Sequence, residues 1–107
     1  MITVKIVHNN NDIYKVECKG HSGFDKSGKD IVCSAVSAVI QTALMGLMDV
    51  SKSKVLYDRE DGYLKFTCPD PESRDEGIRQ QAILKTMKIG LKDLQSGYKA
   101  FIKMEEI

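Results

Sequence analysis

Residues Tyr14 to Val50 read YKVECKGHSGFDKSGKDIVCSAVSAVIQTALMGLMDV, and the pattern changes period once, in the middle. Up to Lys19, apolar and charged residues alternate, with Tyr14, Val16 and Cys18 on one face and Lys15, Glu17 and Lys19 on the other. That is the period of a half-buried strand. Gly20, Gly23 and Gly28 then predict a conformationally permissive loop. Asp30 is a good N-cap, and a helix is predicted from Ile31 to about Val50. It is apolar around most of its circumference, with Ser34, Ser37 and Gln41 as one polar stripe, so it must be covered on more than one side.

Outward from this stretch the pattern repeats. Ile2, Val4 and Ile6 alternate ahead of the turn signal Asn9-Asn10-Asn11-Asp12, which predicts a hairpin with the strand at Tyr14–Cys18. On the other side, Val55 and Tyr57, then Tyr63, Leu64, Phe66 and Cys68, flank the turn Glu60-Asp61-Gly62 and predict a second hairpin. Pro69-Asp70-Pro71 ends that strand. An amphipathic helix is predicted from about Glu72 to Leu94, with Ile78, Ala82, Met87, Leu91 and Leu94 on its apolar face and Gly97 as its stop. Tyr98 to Met104 reads as a last strand. The order β-β-α-β-β-α-β predicts an α+β fold: a mostly antiparallel or mixed sheet with two packed helices, in a single domain over residues 1–107.

Composition narrows the function classes. Apolar residues make up 42% and charged residues 29% of the 107, a globular rather than a disordered profile. The 16 basic and 15 acidic residues are evenly mixed, so no direct nucleic-acid partner is expected. Met1-Ile2-Thr3-Val4-Lys5 does not resemble a secretory leader. The longest apolar run, Ile31 to Val50, is interrupted by Ser34, Ser37, Gln41, Thr42 and Asp49, so no membrane span is expected. Three widely spaced cysteines point to free thiols and a cytoplasmic setting.

Chemistry concentrates at the change of period. His21 ends one element and Cys33 begins the next, at about the third residue of the helix capped by Asp30. A thiol there meets backbone N–H groups and the positive end of the helix dipole, which favour the thiolate, and a neighbouring imidazolium would favour it further. Free helix-terminal N–H groups would also suit an oxyanion. A packed core cysteine beside a loop histidine has the same spacing, and spacing does not separate the two. Ser37, one turn after Cys33, would line the same pocket.

Two other chemistries fit less well. Cys18, His21, Cys33 and Cys68 contain the elements of a Cys₃His zinc set, but Cys18 faces the expected core and Cys68 ends a distant hairpin. Gly23 to Lys29 matches G-x-x-x-x-G-K, yet Asp30 stands where a phosphate loop needs a hydroxyl. Neither a metal nor a nucleotide cofactor is expected.

Gly20-His21, followed by Gly28-Lys29-Asp30-Ile31-Val32-Cys33-Ser34-Ala35-Val36-Ser37, resembles the signature of the ribosomal-processing cysteine protease family. The likeness extends over the length and order of elements. It implies an endopeptidase that removes the N-terminal extension of the twenty-seventh large-subunit ribosomal protein, cutting after aromatic residues. Cys33 would be the nucleophile and His21 the general base and acid, in a homodimer with a loop that orders over substrate. Asp30, and more weakly Asp25, are candidates to orient the imidazole, and Phe24 to meet an apolar substrate side chain. Ser22 and Ser34 stand where alanine is common, which leaves the dyad intact but changes the pocket's polarity. The reading from another class is a non-catalytic ribosome-associated or dimerisation module with a packed cysteine.

Overall fold

The alternation of Ile2, Val4 and Ile6 places three β-branched side chains on one face of β1 (Ile2–Asn9), where they are fully buried. A computed structural model describes residues 1–26 and 30–107. In it β1 turns at Asn10-Asn11 into β2 (Asp12–Lys19), and the chain passes through the loop to α1 (Ile31–Asp49). β3 (Leu56–Glu60) and β4 (Tyr63–Thr67) form the second hairpin. α2 (Arg74–Gly97) then crosses back to β5 (Ile102–Glu106). The sheet order is β3-β4-β2-β1-β5, antiparallel throughout except for the parallel pair β1 and β5. The predicted element order and mixed sheet are therefore present.

Both helices cover one face of this sheet. Ile2, Val4, Ile6, Val16, Phe66 and Ile102 from the strands meet Val32, Val36, Ile40 and Leu47 from α1, and Leu84 and Leu91 from α2, in one core. Each such side chain contributes about 1.5–3 kcal/mol by leaving water. By length and composition α1 would suffice to cross a bilayer, contrary to the expectation from its interrupting polar residues. Here its apolar stripe instead packs against the sheet.

Three local expectations are corrected. Tyr14 was expected on the core face with Val16 and Cys18, but it is exposed and Ile13 is buried in its place. The cause is a β-bulge: His8 pairs with Ile13 and Val7 with Lys15, so Tyr14 is the extra residue and the inward face resets across it. On α2 the buried face is Gln80, Leu84, Met87 and Leu91, whereas Ile78 is 58% exposed and Ala82 is also exposed. Gln80 tolerates burial because its side-chain amide donates to Ser53 Oγ at 3.2 Å. Finally, Tyr98–Phe101 forms a turn closed by the Phe101 N–H on the Tyr98 carbonyl (2.9 Å), and the last strand starts only at Ile102. Its end is clasped by Lys88 and Lys92 of α2, which both reach the Glu106 carboxylate.

Candidate active site

Asp30 starts α1 in extended conformation, and its Oδ1 accepts the N–H groups of Val32 and Cys33, both at 3.0 Å. Cys33 is thereby held as the third helical residue, half-buried at the positive end of the helix. Oδ2 accepts the Ser22 hydroxyl and, at 3.4 Å, the Asp25 N–H. Burial by itself would raise the Asp30 carboxyl. The hydroxyl and backbone donors outweigh it and hold the group at about 2, so it is a carboxylate at every working pH. These bonds cap the helix and clamp the loop, and none of them goes to His21. Asp25 likewise turns to its neighbour, accepting the Lys26 N–H at 2.7 Å.

Ser22 connects cap and sulfur. Its backbone N–H donates to Cys33 Sγ at 3.2 Å, while its buried hydroxyl donates to Asp30 and accepts the Phe24 N–H at 3.1 Å. The expected free N–H groups of the helix terminus are not free at this point. Val32 and Cys33 give theirs to Asp30 Oδ1, and Ser34 gives its own to the Asp30 carbonyl at 3.1 Å.

His21 leaves β2 and lays its ring against Gly62 of the β3–β4 turn. A Cβ on Gly62 would sit 2.9 Å from His21 Nε2, and Gly62 also has φ +70°, so both space and backbone require glycine. Gly20 fixes the approach, donating its N–H to the Gly62 carbonyl at 2.8 Å with φ +92°. His21 and Cys33 then line one cleft of about 120 Å³. Its apolar floor is Ile2, Val36, Ile40 and Leu64, and Cys18, Ser37, Gln41, Arg59, Glu60 and Tyr63 complete the wall. The Gln41 amide donates to Ser37 Oγ at 2.6 Å, which leaves the Ser37 proton available to the cleft.

The remaining candidates lie elsewhere. Ser34 is exposed and does not line the cleft. Phe24 stands edge-on to Tyr98 and Phe101, with ring centroids 5.9 and 5.3 Å away. Cys68 lies in a separate depression beside His8 and Asn9, so the four zinc candidates do not converge, and no group of three metal-ligating side chains occurs among the described residues. The Gly28-Lys29 end of the phosphate-loop match falls outside the described residues. Burial pushes the Cys18 thiol up to about 11, with Cys33 adding to it, and pushes Cys68 up to about 12, with Glu76 adding to it. Both are therefore thiols near neutral pH.

The model of the cysteine protease Prp family matches residues 1–103. The chain belongs to the Prp family. Among Prp relatives, the ribosomal processing cysteine protease of Bacillus subtilis is 30% identical over 92 residues, covering 81% of this chain and 80% of its own. That of Staphylococcus aureus is 29% identical over 107 residues, covering 97% of each. The Staphylococcus aureus Prp structure in complex with a covalently linked product peptide superposes with a TM-score of 0.89 at 25% identity, covering both chains fully. This Prp-family chain is a cysteine protease, and the alternative of a non-catalytic module gives way.

The sequence reading missed Ser22 as a connector and Gly62 as the seat of the histidine. Ser22 was legible only as a departure from alanine, and Gly62 only as a turn residue. Their roles depend on contacts between segments that nothing in one sequence pairs.

Proposed function

We propose that this Prp-family protease removes the N-terminal extension of the twenty-seventh large-subunit ribosomal protein, cutting after aromatic residues, with Cys33 as nucleophile and His21 as acid and base. The observation that supports the proposal is the shared cleft, which both His21 and Cys33 line and in which the Ser22 N–H donates to the sulfur. The names of the relatives supply the ribosomal substrate class.

The thiolate attacks the scissile carbonyl carbon, and the carbonyl π electrons move to oxygen. With the Val32 and Cys33 N–H groups taken by the cap, we assign the oxyanion to the Ser37 hydroxyl, which lines the cleft and accepts from the Gln41 amide. His21, as imidazolium, gives its proton to the leaving amine as the C–N bond breaks. A thioester to the extension remains on Cys33. Neutral His21 then takes a proton from water, hydroxide adds to the thioester, and collapse releases the extension's new carboxylate and the thiol. The apolar floor of the cleft suits the aromatic residue before the cut.

The protein would work in the cytoplasm, as a homodimer. The apolar groove between α1 and α2, lined by Val39, Ala43, Val50, Ile83 and Met87, is the face on which we place the second copy. The test of the activity is cleavage of a peptide spanning the extension junction. Wild type should cut it after the aromatic residues, and Cys33→Ala and His21→Ala should not. A folded wild type that leaves both peptide and full-length precursor intact overturns the proposal.

A further inference from the structure

A second depression, of about 490 Å³, opens from the catalytic cleft. It shares Ser37, Gln41, Arg59, Glu60 and Gly62 with the cleft and lies between α1 and the β3–β4 hairpin. Among the described residues β3 is the outermost strand and pairs only with β4, so its other edge presents unpaired backbone groups. All five of its residues are exposed, including Leu56 at 72% and Tyr57 at 52%. An open edge carrying two large apolar side chains is a liability unless it has an occupant.

The register says which side chains face the depression. Tyr57 pairs with Phe66 and Arg59 with Leu64, and both partners are buried on the helix-covered face. Directly paired residues share a face, so Tyr57 and Arg59 also project on the side of α1. On α1, Gln41 and, further along, Met48 follow Ser37 at helical spacing, and Met48 is exposed. The depression therefore leaves the cleft between Gln41 and Arg59, and the exposed Met48 and Tyr57 lie further along α1 and β3. β3 spans about 14 Å at the usual strand rise, room for about four extended residues.

We propose that β3 is the docking strand for the substrate. The residues on the N-terminal side of the scissile bond add to its free edge as a sixth strand, with Tyr57 and Arg59 as specificity-determining contacts. This deepens the reading of the chain as an extension-removing protease and rests on it. Strand addition supplies main-chain hydrogen bonds for affinity and alternate side-chain contacts for selectivity. The same segment stays esterified to Cys33 after the first step, so the pairing also holds the acyl-enzyme in place for water.

The test is steady-state cleavage of the junction peptide and of four versions, each N-methylated at one of the four residues before the cut. Methylation removes one backbone donor, so KM should rise about three- to tenfold at every second position and change little between them. Tyr57→Ala should raise KM about tenfold with kcat within about twofold, the signature of lost binding rather than lost chemistry. Uniform tolerance of methylation, with Tyr57→Ala matching wild type, overturns the docking strand while leaving the protease reading intact. If Tyr57→Ala instead dissociates the oligomer and methylation shows no alternation, a second copy occupies the edge and the proposal falls. A folded wild type that leaves the unmodified peptide intact defeats both readings.

Discussion

The Ser22 hydroxyl holds Asp30 and the Phe24 N–H together, while its backbone N–H reaches the Cys33 sulfur. Ser22→Ala keeps the backbone donor but loses the clamp, so kcat/KM should fall about three- to tenfold, the worth of one hydrogen bond, with little change in far-ultraviolet circular dichroism. Asp30 titrates at about 2 rather than its usual 3.8. Its lowered value stabilises the fold above about pH 4, and that stabilisation is lost as pH falls through about 2. Asp30→Asn should therefore flatten the decline in melting temperature between pH 4 and 2, which a thermal scan across that range measures. Cys18 and Cys68, with thiols at about 11 and about 12, should alkylate slowly at pH 7.5. A pKa of 11 leaves only about one thiolate in three thousand there. Cys33 should label first, and His21→Ala should slow it, as peptide mapping after a timed iodoacetamide pulse will show. At this scale the place of Cys33 at the start of α1 was legible in the sequence, because Asp30 reads as the cap and caps the helix in the fold. The supporting contacts of Ser22 and Gly62 were not.

Elements were legible where a single period dominates. α1 starts at the predicted Ile31 and ends at Asp49, one residue before Val50, because the Asp30 cap fixes its start, and β1 contains the alternating Ile2, Val4 and Ile6. β2 was misread across the bulge at Tyr14, since one inserted residue leaves the alternation intact to the eye while exchanging its faces. On α2 apolar residues occur at several helical phases, and only the position of the sheet selects Leu84 over Ile78. The two variants separate these readings. Leu84→Ala should cost about 2–5 kcal/mol in urea unfolding, whereas Ile78→Ala should stay within about 0.5 kcal/mol. The β3–β4 turn couples to the site. Gly62→Ala forces a Cβ towards His21 at positive φ, costing about 1–2 kcal/mol of stability, and should lower kcat at least tenfold by displacing the imidazole.

Across the whole molecule, the cleft is assembled from the end of β2, the start of α1 and the β3–β4 turn, three segments joined only by the folded sheet. That is why the fold class could be read from patterning while the geometry of the site could not. The same sheet leaves β3 open at one edge, and the helices leave an apolar groove on the other side of α1. A homodimer seated on that groove should sediment at twice the chain mass, and Ile83→Glu should shift it towards the monomer. Covalent catalysis by Cys33 on the ribosomal precursor, as proposed above, passes through an intermediate that can be trapped. Wild type mixed with precursor, quenched in acid within the first turnover and mapped by mass spectrometry, should carry the extension as a thioester on the Cys33 peptide, and Cys33→Ala should carry none and leave the precursor uncut. Processing that persists in Cys33→Ala, or an adduct on Cys18 or Cys68 instead, would overturn Cys33 as the nucleophile.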